Sequence, residues 1–202
     1  MEWARLLLSD LAQMGHSATL IHTQNDIPRG DISFFLGCTR IVSAQNLLKN
    51  QHNLVVHPSD LPHGRGFSPL AWQVLAGSNL IPICLFEAMP EIDAGMVYMR
   101  DIIYLDGHEL NNEIKEKQGK KVVEMCLRFV KEGAVLKPQP QMGTPTYYRR
   151  RTQKDSELDI SLSLQQLFPL LRVVDNDRYP AFFIINGQKY ILRIDRASDS
   201  EA

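Results

Sequence analysis

Short apolar segments alternate with helical segments over about the first hundred residues, and this order constrains the fold more than any other feature of the sequence. The apolar segments, which glycine, proline and polar residues bound, are residues 17–22, 31–36, 53–56, 81–86 and 96–103. Such segments are typical of buried strands. Because they alternate with helices, we expect an α/β fold with a Rossmann-like, mainly parallel sheet flanked by helices. Ligands of such sheets bind beyond the carboxyl ends of the strands.

The helices and the domain organisation follow from apolar spacing and from proline content. Apolar residues recur at helical spacing over residues 3–14, 43–48, 69–75 and 108–131. Residues 137–146 contain three prolines, which predict a linker between a domain of residues 1–136 and a small C-terminal unit of residues 147–202. In that unit we expect a helix over residues 162–171 and a β-hairpin over residues 181–194, with its turn at Asn186-Gly187.

Composition excludes several classes of partner. The chain has 202 residues, a net charge of −1 and a pI near 6.6, so it has no basic field that would attract nucleic acid. No apolar run approaches the roughly 20 residues that span a bilayer, and the N-terminus does not resemble a signal peptide. We therefore expect a cytoplasmic protein without nucleic-acid or membrane partners. A homodimer is compatible with the sequence, which does not fix the oligomeric state.

One segment carries most of the functional information. His57-Pro58-Ser59-Asp60-Leu61-Pro62 is followed by Arg65-Gly66 and by a helix start of the form Pro69-x-x-Trp72. This pattern resembles the active-site stretch of the folate-dependent formyltransferases, with Asp60 where that family usually has leucine. About thirty residues later, Asp93-Ala94-Gly95 matches the family's Asp-x-Gly motif. The resemblance covers roughly residues 30–130 and implies the formyltransferase fold and a one-carbon transferase activity.

The same residues suit the chemistry of formyl transfer. Transfer to an amine needs a base for the nucleophile and donors for the tetrahedral oxyanion. His57 could supply the base, and a neighbouring Asp93 would fix its tautomer and support proton transfer. Taken alone, His57 would more often be structural and Asp93 a turn residue. The shared motif favours a catalytic pair of His57 and Asp93.

The sequence departs from the family pattern in two places. Family members carry an oxyanion-binding asparagine two residues before the histidine, where this chain has Val55. Asn53 is a poor substitute because it lies about 13 Å from His57 along the strand. We expect a backbone amide, a water or another side chain to take this role. Family members also open with a central strand, whereas this chain begins within the expected first helix, so we expect a trimmed or misannotated start.

The formyl donor implied by the resemblance is 10-formyltetrahydrofolate, and no metal is implied. Family members hold the pterin largely through main-chain hydrogen bonds, which leave little trace in the sequence. Ordinary loop and core roles therefore remain the alternative for these positions. The implied donor-binding residues are Gly37, Phe86, Glu87, Ala88, Ile92 and Asp93.

The C-terminal unit bears on the acceptor. Residues 146–152 are similar to the Arg-Arg-Thr segment of sugar-nucleotide formyltransferases, and residues 171–183 to the stretch that covers the nucleotide in those enzymes. Arginines suit a diphosphate because the guanidinium fork binds its oxygens bidentately. A solvated charge run is the alternative. The implied substrate-binding residues are Ser59, Tyr148, Arg150, Arg151, Arg172, Asn176, Arg178 and Tyr179.

Residues 59–62 and 156–159 together look closest to the N-formyltransferases of pseudaminic acid biosynthesis. Those enzymes act on a UDP-linked 4-amino-4,6-dideoxy sugar, so the expected partner is a small nucleotide sugar. Two alternatives stay open. The chain could formylate another amine, such as methionyl-tRNA or a glycinamide ribonucleotide, or it could bind sugar nucleotides without catalysis.

Overall fold

A computed structural model describes residues 2–197 and contains a central sheet with helices packed on it. The first residue and residues 198–202 of the predicted domains lie outside the described residues. In chain order the elements are α1 (Glu2–Gln13), β1 (Gly30–Phe35), α2 (Ala44–Leu47), β2 (Asn50–His57), β3 (Arg65–Gly66), α3 (Pro69–Leu75), β4 (Leu80–Glu87), β5 (Val97–Tyr104), α4 (Asn111–Glu132), β6 (Tyr147–Tyr148), α5 (Leu164–Leu171), β7 (Ala181–Ile185) and β8 (Gln188–Leu192).

The central sheet has four strands in the order β1-β2-β4-β5. β1 pairs with β2 in parallel, whereas β4 runs antiparallel to both β2 and β5. Three of the four strands therefore point in one direction, and β4 opposes them. The predicted α/β class with a mainly parallel sheet and flanking helices is confirmed. None of the helices among residues 2–197 is long and apolar enough to cross a membrane.

One predicted strand is wrong. Residues 17–22 form no strand, although the predicted strands at 31–36, 53–56, 81–86 and 96–103 are confirmed within a few residues. β1 is an edge strand, and residues 17–22 lie with it along a groove of about 1420 Å³. An apolar segment forms a strand only when a neighbour pairs with its N–H and C=O groups. The sequence shows the apolar pattern of residues 17–22, but it does not show whether another strand pairs with them.

The core forms where the helices cover the sheet. The largest group of buried residues brings Leu54, Leu85 and Ile103 of the sheet against Val74 of α3 and Phe129 of α4. On another face of α4, a smaller cluster brings α1 against this helix. The apolar stripe of α4 therefore contacts both the sheet and α1. This packing fixes the strand ends that carry the functional segment.

The C-terminal unit has its own small core and is joined closely to the sheet. Leu158, Leu171 and Ala181 lie in this second core. The predicted hairpin is confirmed, with left-handed backbone at Asn186 and Gly187. The predicted linker, however, packs along the sheet, because the backbone N–H of Gln139 donates to the Val97 carbonyl and the Gln139 carbonyl accepts from the backbone N–H of Val97, both at 2.8 Å.

A buried ion pair also anchors the C-terminal unit. The Arg172 guanidinium donates to the Glu109 carboxylate at 3.2 Å, to the Glu109 carbonyl at 3.1 Å and to Asn79 Oδ1 at 2.9 Å. Burial alone would raise the pKa of Glu109, but hydrogen bonds from Lys117 Nζ and from backbone amides outweigh it and hold this pKa well below its usual range. The donors of Arg172 thus serve the fold, which corrects the expectation that this residue binds the nucleotide.

A two-residue parallel pairing of β3 with β6 ties the functional segment to the C-terminal unit. The Arg65 amide donates to the Thr146 carbonyl at 2.9 Å, and the Phe67 amide to the Tyr148 carbonyl at 3.0 Å. Gly66 lies between them with a φ of +99°, and a Cβ added there would fall 2.5 Å from the Tyr148 carbonyl oxygen. The close approach of these strands therefore requires glycine.

Replacing Arg172 with methionine tests the anchoring ion pair. The variant removes the donors from the Glu109 carbonyl and from Asn79 Oδ1, while the Glu109 carboxylate keeps Lys117, so we expect a loss of about 1–3 kcal/mol in the free energy of unfolding. Urea titration followed by circular dichroism measures it. The control is Arg196→Met, which breaks the exposed pair with Glu113 and should cost less than about 1 kcal/mol. Equal stabilities of the two variants would contradict the anchoring role.

Replacing Gly66 with alanine tests the strand contact, with Gly77→Ala as a matched control. Gly77 also has a left-handed φ, +86°, but nothing lies within 4 Å of an added Cβ. Gly77→Ala should cost only the backbone strain, about 1–2 kcal/mol. Gly66→Ala should cost about 1–3 kcal/mol more because of the clash with the Tyr148 carbonyl. Urea unfolding of both variants checks this, and identical losses would show that β3 and β6 are not in close contact.

Candidate active site

His57 is the last residue of β2 and its side chain is buried. Its Nε2 atom lies 2.9 Å from the Gly64 carbonyl oxygen. A carbonyl only accepts hydrogen bonds, so Nε2 donates the proton and Nδ1 of the neutral ring holds the lone pair. The edge of the His57 ring also meets Phe86, with ring centroids 6.4 Å apart. The functional loop itself therefore fixes the orientation and tautomer of the imidazole.

Asp93 lies in the loop between β4 and β5, and its side chain contacts the segment that follows His57. Its Oδ2 atom accepts a hydrogen bond from the Gly66 amide at 2.7 Å and lies 3.8 Å from His57 Nε2. The second distance is too long for a hydrogen bond but suits an ion pair with a protonated ring. The structure thus brings the imidazole and the carboxylate together. Gly64, rather than Asp93, orients the ring of His57.

The strand face beside His57 carries no polar side chain at position 55. Val55 packs with a buried apolar cluster that includes Leu61 and Phe86. Asn53 points elsewhere, since its amide nitrogen donates to the Leu47 carbonyl at 2.8 Å and to the Asn50 carbonyl at 3.3 Å. These contacts hold the Asn53 side chain near the end of α2, so it offers no donor at the position of Val55.

A cavity of about 640 Å³ opens beside His57 and Asp93. It has the size of a typical ligand site. Residues after the carboxyl ends of β1 and β2, the loop after β4, one face of α4 and parts of the C-terminal unit line it. Its apolar lining includes Val55, Phe67, Phe86, Met89 and Ile92, and its charged lining includes Arg40, Lys115, Arg150, Arg151, Asp175 and Arg178.

Most of the predicted donor-binding residues line this cavity, and half of the predicted substrate-binding residues do. The former are Gly37, Phe86, Ala88, Ile92 and Asp93, and the latter are Arg150, Arg151, Arg178 and Tyr179. The side chain of Glu87 is directed elsewhere. Its carboxylate accepts hydrogen bonds from the backbone N–H of Asn53 at 2.5 Å and from the Tyr98 hydroxyl at 3.2 Å.

The other predicted substrate-binding residues do not line the cavity. Ser59 is buried, with 2% of its surface exposed, and within residues 2–197 its hydroxyl has no hydrogen-bond partner. The Tyr148 ring stacks on Trp72 and lies against Gly64. Asn176 exchanges hydrogen bonds with the backbone of Ile194. Together with Arg172 in its buried ion pair, these are the predicted residues that the structure does not bring to the cavity, because motif similarity does not show where a side chain points.

The three consecutive arginines have different surroundings. Arg149 forms a bidentate pair with Asp155 and lies over the Trp72 ring, outside the cavity. Arg150 lies 4.5 Å from the centre of the Phe67 ring and donates to the Thr39 carbonyl at 3.3 Å. Arg150 therefore bridges the cavity rim and is exposed to a ligand.

Arg151 is half-buried and is the least exposed of the three. It donates to the Val173 carbonyl at 3.1 Å and to the Asp155 carbonyl at 3.2 Å. Burial lowers the pKa of Arg151. Within residues 2–197 its buried Nε has no hydrogen-bond partner. This donor remains for a ligand or a water.

Sequence reasoning missed the contribution of α4 to the cavity. Asn111, Lys115 and Gln118 line it, and Lys115 Nζ lies 3.0 Å from the Asp175 carboxylate. Their spacing of three to four residues places them on one helix face. Polar residues at this spacing usually face solvent, so the sequence carried only a weak signal. Residues 2–197 contain no group of three or more His, Cys, Asp or Glu side chains placed to hold a metal ion.

Comparison with known proteins adds sequence relatives. No protein-family model matches the chain. The methionyl-tRNA formyltransferase of Francisella philomiragia is 26% identical over 137 residues, which is 67% of this chain and 43% of that protein. The chain thus aligns with less than half the length of this curated relative.

Solved structures share the fold at low sequence identity. Methionyl-tRNA formyltransferase from Clostridium thermocellum superposes with a TM-score of 0.82 at 19% identity, covering 99% of this chain and 91% of that one. HypX from Aquifex aeolicus in complex with tetrahydrofolic acid has a TM-score of 0.80 at 19% identity, with coverages of 96% and 36%. A 4-N formyltransferase from Francisella tularensis has a TM-score of 0.71 at 16% identity, with coverages of 95% and 84%.

These comparisons agree with the sequence motifs. The relatives include methionyl-tRNA formyltransferases, and the structural neighbours include these enzymes and sugar N-formyltransferases. The predicted resemblance to formyltransferases is confirmed, and the chain has the formyltransferase fold.

Proposed function

We propose that the chain transfers a formyl group from 10-formyltetrahydrofolate to the 4-amino group of a UDP-linked amino-dideoxy sugar. One observation carries this proposal. The His57 imidazole and the Asp93 carboxylate lie 3.8 Å apart at the wall of a cavity of about 640 Å³ whose rim is rich in cationic side chains. A proton-transfer pair beside an anion-binding rim suits a reaction in which an amine carried by a phosphorylated ligand is the nucleophile.

The cavity suits a folate-type donor. Apolar side chains such as Phe67, Met89 and Ile92 offer contact area for an aromatic ring. The HypX structure, which contains tetrahydrofolic acid, has the same fold and supports this assignment. When bound, the donor would supply the formyl carbon. The carbon forms a bond to the attacking amine, its bond to the folate nitrogen breaks, and the proton that the amine loses ends on that nitrogen.

His57 moves that proton. Its Nε2 proton is held by the Gly64 carbonyl, so Nδ1 is the ring nitrogen that accepts a proton from the amine. The imidazolium that forms is positive, and the Asp93 carboxylate 3.8 Å away stabilises it electrostatically. Proton transfer of this kind typically accelerates a reaction by about 10²–10⁴-fold. Asp93 contributes through its charge and accepts no proton.

The imidazolium also compensates for Val55. Because valine offers no donor, the negative charge that develops on the formyl oxygen needs another partner near His57. The protonated Nδ1 of His57 provides such a donor. Removing one oxyanion donor costs about 2.7–4 kcal/mol in other enzymes, so a cationic donor at this place has a large effect.

The rim supports an acceptor with a diphosphate. Arg40, Lys115, Arg150 and Arg178 contribute four cationic side chains, against the carboxylates of Asp93 and Asp175. Guanidinium groups bind phosphate oxygens bidentately. The similarity to a 4-N formyltransferase and to other sugar N-formyltransferases favours a sugar amine as the nucleophile. The uridine and the pseudaminic acid type of sugar follow from the resemblance of residues 59–62 and 146–183.

A second acceptor has a specific observation in its favour. The curated relative with 26% identity is a methionyl-tRNA formyltransferase. Two features favour the small acceptor: the net charge of −1 and a cationic rim that is local to the cavity. Incubation with 10-formyltetrahydrofolate and either a UDP-4-amino sugar or methionyl-tRNA, followed by mass spectrometry of the acceptor, separates these readings. No added formyl group on either acceptor would favour a non-catalytic binder.

Replacing His57 with asparagine should abolish formyl transfer while sugar-nucleotide binding is retained. Asparagine keeps a similar polarity but cannot take a proton from the amine. Product mass spectrometry measures the transfer, and thermal stabilisation by UDP measures binding. His63→Asn is the matched control, because His63 lies exposed in the same loop. Unchanged turnover of His57→Asn would refute the role of His57.

A further inference from the structure

We propose that Gln141 is a positioning residue, which holds the Asp93 turn in the conformation that directs the carboxylate toward Gly66 and His57. The effect on catalysis rests on the proposed function, whereas the effect on the geometry of Asp93 does not. Gln141 lies in the proline-containing segment that sequence reasoning assigned as a linker. The structure places it between the turn and a buried arginine.

The side-chain amide of Gln141 forms hydrogen bonds through both its nitrogen and its oxygen. Its nitrogen donates to the Asp93 carbonyl and to the Gly95 carbonyl, each at 2.8 Å. Its oxygen accepts from Arg65 Nη2 at 2.8 Å and from Arg65 Nε at 3.3 Å. A side-chain amide has two N–H donors and one oxygen with two lone pairs. Gln141 therefore joins the guanidinium of Arg65 to two backbone carbonyls of the turn.

The turn needs such support because its backbone is strained. Asp93 has a φ of +49°, in the left-handed region that costs an L-residue free energy. Gly95 approaches β4 so closely that an added Cβ would fall 1.6 Å from the Glu87 carbonyl oxygen. A strained conformation persists only when the surroundings determine it. The two bonds from Gln141 are such determinants.

Residues 65 and 66 hold both the side chain and the main chain of Asp93. The Gly66 amide donates to the Asp93 carboxylate at 2.7 Å. Arg65, 6% exposed, contacts the Asp93 carbonyl through Gln141 and pairs with the Glu91 carboxylate at 2.9 Å. The side chain and the main chain of Asp93 are thus fixed to neighbouring residues of β3. Loss of the Gln141 hydrogen bonds removes the attachment of the Asp93 main chain and leaves only that of its side chain.

Replacing Gln141 with glutamate tests the donor role with little change in shape. The carboxylate still accepts from Arg65 but cannot donate to the two carbonyls, and its charge repels their oxygens. Gln139→Glu introduces the same charge in the same segment at an exposed side chain, whose amide nitrogen donates to the Lys137 carbonyl at 3.3 Å. Gln141→Met, which removes donor and acceptor without adding charge, serves as the second variant if the glutamate variant does not fold.

The first readout needs no substrate. The ¹H and ¹⁵N chemical shifts of the Gly66 amide report its hydrogen bond to the Asp93 carboxylate, and Asp93→Asn gives the reference for loss of the charge. In Gln141→Glu and Gln141→Met we expect the Gly66 resonance to move toward its position in Asp93→Asn. In Gln139→Glu it should stay as in the wild type. An unmoved Gly66 resonance in both Gln141 variants would overturn the proposal.

The second readout is kinetic. Displacement of the carboxylate should lower kcat by about 10–100-fold while both KM values stay within about threefold. A fall in binding with unchanged kcat would contradict a positioning role. If the wild type transfers no formyl group, the proposed function fails, and the Gly66 resonance alone then decides the role of Gln141.

Discussion

The hydrogen bond from the Gly66 amide to the Asp93 carboxylate joins two loops that are otherwise held by different parts of the sheet. The first loop follows β2, whose last residue is His57, and the second connects β4 to β5. This bond, at 2.7 Å, places a carboxylate within ion-pair distance of the imidazole. The short pairing of β3 with β6 sets the position of the amide, so segments that are distant along the chain determine the geometry of one pair of side chains.

The C-terminal unit is part of this arrangement, although it has a small core of its own. Tyr147 and Tyr148 complete the β3 pairing, and Gln141, in the segment of residues 137–146 that precedes the unit, holds the Asp93 turn. Arg172 fastens the unit to the sheet domain through Glu109. We therefore interpret the unit and the segment before it as a support for the cavity wall at His57 and Asp93. The unit also supplies Arg150, Arg151 and Arg178 of the cavity lining.

The sequence predicts those features that depend on local pattern. Apolar alternation locates β2, β4 and β5, and the Asn186-Gly187 pair locates the hairpin turn, because each depends on residues close in the chain. The motif spacing also leads to His57 and Asp93. The prediction of a strand at residues 17–22 is wrong because strand formation depends on a neighbouring strand, which no local sequence pattern shows.

The sequence does not predict which polar side chains serve the fold and which face the cavity. Arg172 and Asn176 match a substrate-binding stretch, yet both form hydrogen bonds with other parts of the chain. Lys115 and Gln141 match no motif, yet tertiary packing brings the first to the cavity and the second to the Asp93 turn. In each case the decisive contact joins residues far apart in sequence. Only the assembled fold defines it.

The measurement that tests this account most directly is the tautomer of His57, read from the ¹⁵N resonances and couplings of its ring at a pH where the ring is neutral. The account requires the proton on Nε2, where the Gly64 carbonyl accepts it, and a lone pair on Nδ1 for the substrate amine. A proton on Nδ1, or the mixture of tautomers that a solvent-exposed histidine shows, would contradict the arrangement of the site.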